Sequence, residues 1–374
     1  MKIVVAPDKF KKSLTGLQFC DSVEASILKV LPNCEILKLP LADGGDGTIE
    51  IVNYYLKGTI ITVTVNNPFF KKIKATYLYA EVEQTAFVEM AEASGVKLLR
   101  PKDFDCKNAT TLGTGEMILD AINRGAKKII LGIGGSATND CGMGMATALG
   151  YRFLDVDNKV VKPVGANLSK VSTIDTSQMH PKLKEVKFNI ACDVSNPLYG
   201  KNGSAYVYAK QKGATTDDIV LLDKGLQDFA KVIEAIFGIN PQQVEGAGAA
   251  GGMGIASKVF LKGTLQRGVN LVKDLAQFDK KLIDTDWIIT GEGNLDAQTF
   301  SGKTIQGVLA SAKPKKIKVA AFCGGVDLNK EEIKELGLVY VDAVLNYTDN
   351  TEDAMKNSLG YLKIIAKNFA KNLI

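Results

Sequence analysis

Histidine is almost absent from this chain: among 374 residues there is one, His180. It stands in Gln178-Met179-His180-Pro181, a turn-like setting with no nucleophile or paired carboxylate nearby in sequence, which predicts a surface position. Acid–base chemistry then falls to Asp and Glu, and neither a Ser-His triad nor His-dependent hydride transfer is supported. The six cysteines (Cys20, Cys34, Cys106, Cys141, Cys192, Cys323) are far apart, with no C-x-x-C pair. That excludes a disulfide framework and a zinc site, and predicts buried, reduced thiols. Aromatics make up only 7%, and no run of Lys or Arg is interleaved with them. The formal charge of +5 is a weak basic bias, spread along the chain. It suits small anionic substrates and argues against nucleic acid as a partner. No apolar stretch reaches membrane-spanning length, and Met1 leads into a short strand without the apolar core of a signal peptide. A cytoplasmic location without a membrane partner is the expectation.

What is abundant is glycine, 36 residues, in loops that separate short apolar runs from helical patterns. This texture predicts α/β architecture with parallel strands. Lys2 to Ala6 reads as a strand, Leu17 to Leu31 as an amphipathic helix and Glu35 to Leu39 as a second strand, together a βαβ unit. Trp287 to Thr290, Val319 to Cys323 and Ala343 to Leu345 complete a five-stranded sheet. The middle differs: Ile60 to Val65 and Lys74 to Leu78 alternate polar and apolar residues, as half-exposed antiparallel strands do. A helix over 115–124, closed by Gly125, a buried strand over 129–133 and another over 188–191 follow. The chain therefore divides into one domain formed by its ends, 1–66 and 280–374, and a mixed α/β domain inserted at 67–279, with an active-site cleft expected between them.

Five loops mix glycine with Asp, Glu, Asn, Ser, Thr or Lys. These residue types let backbone N–H groups approach phosphate oxygens while carboxylates hold hydrated magnesium. The first, Ala6 to Leu14, offers Lys9, Lys11 and Lys12 to an anion where a doubly wound sheet binds ligands. In the second, Asp43 and Asp46 flank Gly44 and Gly45, and suit hydroxyls, a metal or helix capping. The third, Gly134 to Asp140, lets a phosphate chain lie against the backbone before a small-residue helix. The fourth places Asp193 just past a strand, as a general base or metal ligand. The fifth supplies Glu292, Asn294, Asp296 and Lys303 within one segment. None is a Walker A loop, because Ala297 stands five residues before Gly302 where glycine is required. Gly246 to Gly251 matches G-x-G-x-x-G by spacing but follows no buried strand. It reads as close packing or a nucleotide-contacting turn, which weakens a nicotinamide-dependent oxidoreductase. A two-domain anion-binding protein is the non-catalytic alternative.

Taken in order, A-P-D-K-F-K-K-S-L from Ala6, A-D-G-G-D-G-T from Ala42, G-S-A-T-N-D from Gly135, C-D-V-x-N-P-L from Cys192, Q-K-G-A from Gln211, G-A-G-A-A-G-G from Gly246 and G-E-G-x-x-D-x-Q-T from Gly291 resemble the bacterial glycerate kinase family, of the 2-hydroxyl type. The resemblance spans nearly the whole chain. Lys9, Lys12 and Cys141 depart from it, standing where serine, glycine and glycine are common. It implies a flavodoxin-like domain formed by both chain ends, an inserted α/β domain, ATP with Mg2+ as donor and glycerate as acceptor, in a monomer or homodimer. On that reading Asp193, Lys9 and Asp296 are catalytic. Substrate would meet Asp8, Lys11, Ser13, Asp43, Ser136, Thr138, Asn139 and Asp140. ATP would lie against Gly44, Gly45, Gly134, Gly135, Gly248, Gly251, Glu292 and Lys303, with Asp193, Glu292 and Asp296 toward magnesium.

Overall fold

The computed structural model describes residues 1–10, 13–44, 47–301 and 304–374, with backbone alone for 298 and 301. Eleven strands form its two main sheets: β1 (Lys2–Val5), β2 (Glu35–Lys38), β3 (Thr59–Asn66), β4 (Lys72–Ala80), β5 (Thr85–Glu89), β6 (Lys128–Gly132), β7 (Lys187–Ala191), β8 (Thr264–Gln266), β9 (Trp287–Thr290), β10 (Lys318–Cys323) and β11 (Tyr340–Ala343). The chain separates into two compact units, Met1–Asp43 with Glu50–Tyr55 and Val269–Ile374, and Gly44–Ile49 with Leu56–Gly268.

In the first unit, β1 pairs in parallel with both β2 and β9, and the sheet runs β11-β10-β9-β1-β2. The chain leaves β1 toward β2 and later returns on its other side, so the strand order reverses between β1 and β9. Ligands of open parallel sheets bind beyond the strand ends at such a reversal. Helix α1 (Gly16–Leu28) starts at Thr15, whose hydroxyl accepts from the Gln18 N–H while the Gln18 side chain accepts from the Thr15 N–H. Its Phe19, Cys20, Val23 and Ile27 recur at helical spacing and are buried with Ile3, Val5 and Ile289.

The second unit has a six-stranded sheet in the order β8-β7-β6-β5-β4-β3. β5 to β8 are parallel, whereas β3 and β4 pair antiparallel from Thr59↔Tyr79 to Asn66↔Lys72. The alternation seen in those two segments thus reflects a half-exposed antiparallel edge. Helix α2 (Leu112–Asn123) ends at Gly125 with φ +101°, and the long helix α3 (Thr216–Phe237) at Gly238 with φ +67°.

Two boundaries differ from the sequence-based expectation. The units change at 55/56 and 268/269, not near 66 and 280. β3 is hydrogen-bonded along its whole length to β4 and goes with that sheet, while Val269, Val272 and Phe278 are buried in the core of the first unit. The last strand also lies earlier than 343–345. Tyr340 to Ala343 pair with Ala320 to Cys323, and Val344–Asn346 form a 3-10 turn. The half-exposed Tyr340-Val341-Asp342 of an edge strand lacks the continuous apolar run that marks its buried neighbours. Among the described residues no helix is long and apolar enough to cross a membrane. The six thiols are free, four buried and two, Cys34 and Cys192, half-buried. His180 is half-buried at the head of a turn, not fully exposed.

Candidate active site

Backbone pairing continues past the strands of the first sheet and fixes what stands at its C-terminal edge. The Ala6 N–H donates to Ile289 O at 2.7 Å, the Asp8 N–H to Gly291 O at 2.8 Å, and the Thr290 hydroxyl to Ala6 O at 2.9 Å. Asp8 and Glu292 are thereby held beside each other in the sheet direction. They open onto a pocket of about 470 Å³ whose polar lining includes Lys9, Ser13, Asp43 and Asp296, with Phe10, Val344, Leu345 and Met355 as apolar wall. An apolar wall with a few convergent polar groups is the usual form of a small-molecule site.

Asp8 is only 7% exposed. Its Oδ1 accepts from the Lys9 N–H at 2.7 Å and its Oδ2 from the Thr304 hydroxyl. Burial, and then the like charge of Asp43, push its carboxyl up to about 6, even though both hydrogen bonds and the Lys9 ammonium pull the other way. Glu292 accepts from the Thr299 hydroxyl at 2.6 Å, and the Asn294 amide bridges Asp327 at 2.6 Å and Asp296 at 3.4 Å. Ser13 donates to Ser358 Oγ at 2.7 Å, at the start of helix α4 (Ser358–Lys371), and to Met355 O just before it at 3.1 Å.

The second sheet has its own C-terminal edge. There Glu89, Gly132, Gly134 and Gly135 line a smaller pocket of about 240 Å³ with Gly44 and Lys97. Gly134 and Gly135 are exposed, and a Cβ on Gly134 would meet nothing within 4 Å, so their backbone is open to a ligand. Asp193, also exposed, follows β7, and its Oδ1 accepts from the Gly268 N–H at 3.0 Å. Gly44 has φ +88° with Gly268 Cα 3.1 Å from where a Cβ would stand, a position that only glycine fits easily.

Several predicted contacts prove to be internal. Asp140 is fully buried and accepts from the Thr111 N–H and hydroxyl, both at 2.8 Å, from Gly144 N–H at 3.1 Å and from Gly142 N–H at 3.3 Å. Both its oxygens are engaged inside the fold, where they hold the loop together. Thr138 and Asn139 are equally buried. At Gly248 and Gly251, added Cβ atoms would lie 2.2 Å from Pro197 O and 2.2 Å from Thr138 O. These glycines serve close backbone packing. Lys11, Gly45 and Lys303, expected at substrate and ATP, lie outside the described residues, as does Lys12. Thr304, the partner of Asp8, and Lys212, a buried lysine against the third loop, carry no role in the sequence reading. The only hint to either was its place inside a motif, G-K-T or Q-K-G-A.

The glycerate kinase family model matches residues 3–374. The chain is 40% identical over 370 residues to a glycerate kinase of Bacillus cereus, covering 99% of this chain and 97% of that one. It is 36% identical over 373 residues to a glycerate 2-kinase of Escherichia coli K12, covering 100% and 98%. A crystal structure of a Salmonella typhimurium LT2 protein, named as a glycerate kinase 2, superposes with a TM-score of 0.88 at 37% identity over 100% of this chain and 98% of that one. The chain belongs to the glycerate kinase family.

Proposed function

We propose that this protein transfers the γ-phosphoryl group of MgATP to the 2-hydroxyl of D-glycerate, giving 2-phosphoglycerate and ADP, in the cytoplasm and without a nucleic-acid or membrane partner. The observation that carries this reading is the full-length family match, which includes a relative named for 2-kinase activity. Phosphoryl transfer demands alignment and charge neutralisation more than covalent chemistry. The geometry supports corresponding roles. Asp8, whose carboxyl is pushed up to about 6, is the carboxylate best tuned to accept the proton of the attacking hydroxyl. That role passes to it from Asp193, whose exposed carboxylate at a strand end suits a charge-bearing contact to the magnesium–phosphate group instead. Lys9 supplies positive charge in the Asp8 pocket, and the open backbone of Gly134 and Gly135 suits phosphate oxygens.

Among the described residues no group of three or more His, Cys, Asp or Glu forms a ready-made metal cage. Magnesium carried on ATP needs no such cage, because this ion keeps waters and phosphate oxygens and takes only one or two carboxylates from a protein. Asp193 in the second unit, and Glu292 and Asp296 in the first, are each hard oxygen donors of the kind this ion takes, and the ion would supply charge neutralisation on the transferring group. ADP release from MgATP and D-glycerate, with enolase alone added to the products, tests the assignment. An immediate enolase signal supports transfer to the 2-hydroxyl. Turnover without that signal moves the transfer to the 3-hydroxyl, and no turnover overturns the acceptor.

A further inference from the structure

Lys212 follows a π-helical turn at Ala205–Ala209 and is only 4% exposed. Its ammonium donates to Ser136 Oγ at 2.6 Å and to Thr138 O at 2.9 Å. Both partners are neutral, and among the described residues no carboxylate is hydrogen-bonded to it. Asp140, the one carboxylate whose charge acts on it, already receives the donors of Thr111, Gly142 and Gly144. A buried ammonium bonded only to neutral acceptors lacks its counter-charge, which is costly unless something supplies one. Because Ser136 Oγ accepts from Lys212, its own hydrogen points elsewhere, and no described residue accepts it. Ser136 is 7% exposed and directly follows the open Gly134-Gly135 backbone.

We propose that Lys212 is a positioning residue for an oxyanion subsite at Ser136, locking and polarising that hydroxyl as a donor to a substrate carboxylate or phosphate. The inference rests on the functional reading above and deepens it. Donation from a charged group through a hydroxyl strengthens the outer hydrogen bond. Burial also lowers Lys212 to about 8, with the Cys106 thiol and Asp140 as the titratable groups facing it, so the relay weakens as pH rises through that value.

The test compares wild type, Ser136→Ala and Lys212→Met by steady-state kinetics from pH 6.5 to 9.5, and by thermal protection with inorganic phosphate. In Ser136→Ala the KM of one substrate should rise by roughly 10- to 100-fold, more than kcat falls. The substrate so affected, glycerate or ATP, identifies whether a carboxylate or a phosphate is held. The rise of wild-type KM above about pH 8 should disappear in that variant. If Lys212→Met folds, the double variant should bind no worse than the worse single one. Unchanged KM for both substrates in Ser136→Ala, or additive effects in the double variant, would overturn the proposal. If wild type shows no turnover with glycerate, the functional reading fails, and the phosphate arm still decides. Protection of wild type lost in Ser136→Ala upholds the subsite, and equal or absent protection in both refutes it.

Discussion

Replacing Asp8 by Asn should make the protein more stable and nearly inactive. A carboxyl moved by the fold from 3.8 to about 6 binds its proton about 3 kcal/mol more tightly folded than unfolded, at 1.36 kcal/mol per pH unit. At pH 7 the side chain is ionised in both states, so its burial beside Asp43 weighs against folding by that order of magnitude. Asn keeps the shape and the acceptor for the Lys9 N–H, and its amide can donate to the Thr304 hydroxyl, which is free to turn. A gain of ~1–3 kcal/mol is expected, at roughly 2–4 °C in Tm per kcal/mol. The sign follows from the raised value. Protonated Asp8 contributes fully below pH 3.8 and loses its contribution as pH climbs through about 6. The advantage of the variant should therefore shrink toward nothing near pH 4. Losing the proposed general base should lower kcat by roughly 10²- to 10⁴-fold. Calorimetry at pH 4 and pH 7, with ADP-release kinetics, decides it. A variant no more stable than wild type at pH 7, or one with near wild-type kcat, would refute the reasoning.

Other perturbations follow from the same geometry. Wild-type kcat/KM should rise as pH passes about 6, and Thr304→Val, which removes a hydrogen bond that lowers Asp8, should move that limb to higher pH in a pH–rate profile. Asp193→Asn should reduce kcat far more than it weakens ATP binding by isothermal titration; equal loss in both would assign Asp193 to binding alone. Asp140→Ala strands the buried donors of Thr111, Gly142 and Gly144 and should cost about 3–5 kcal/mol in urea melts. Gly251→Ala, at φ +75° with Thr138 O 2.2 Å from the new Cβ, should destabilise by more than the ~1 kcal/mol of a left-handed alanine alone, with Tm as the measure.

Much of the first sheet was legible because its strands are buried on both faces and read as unbroken apolar runs, from Ile3-Val4-Val5 to Val319 through Cys323. The antiparallel edge was legible for the opposite reason, its period of two. Thr85–Glu89 escaped notice because it has neither property in a usable form. It is five residues long, buried through Val88, and begins and ends on polar side chains. Thr264–Gln266 is only three residues and takes its definition from pairing with Asn189 to Ala191, a partner more than seventy positions away. Local pattern carries no information about such pairing.

The site shows a different limit. Motif reading located the loops at both sheet edges, since glycine and carboxylate together are a chemical signature. Within a loop it could not separate the residue that faces a ligand from the one that holds the loop. Asp8 and Asp140 both follow apolar strands and both are buried aspartates, yet one lines a pocket with Thr304 and a backbone N–H behind it, and the other spends both oxygens on backbone and hydroxyl donors. The difference lies in what the fold brings from elsewhere: Thr304 arrives from 296 positions away and Thr111 from 29. Cys141 makes the same point at the level of the backbone. Its φ of +50° explains why glycine suits that position, and the thiol is tolerated there because its N–H donates to Gly251 O at 2.9 Å and its Sγ to Gly252 O, within a turn whose residues 250 to 252 also have positive φ. The strained turn and the buried aspartate brace one loop, while the backbone of Gly134-Gly135 stays exposed.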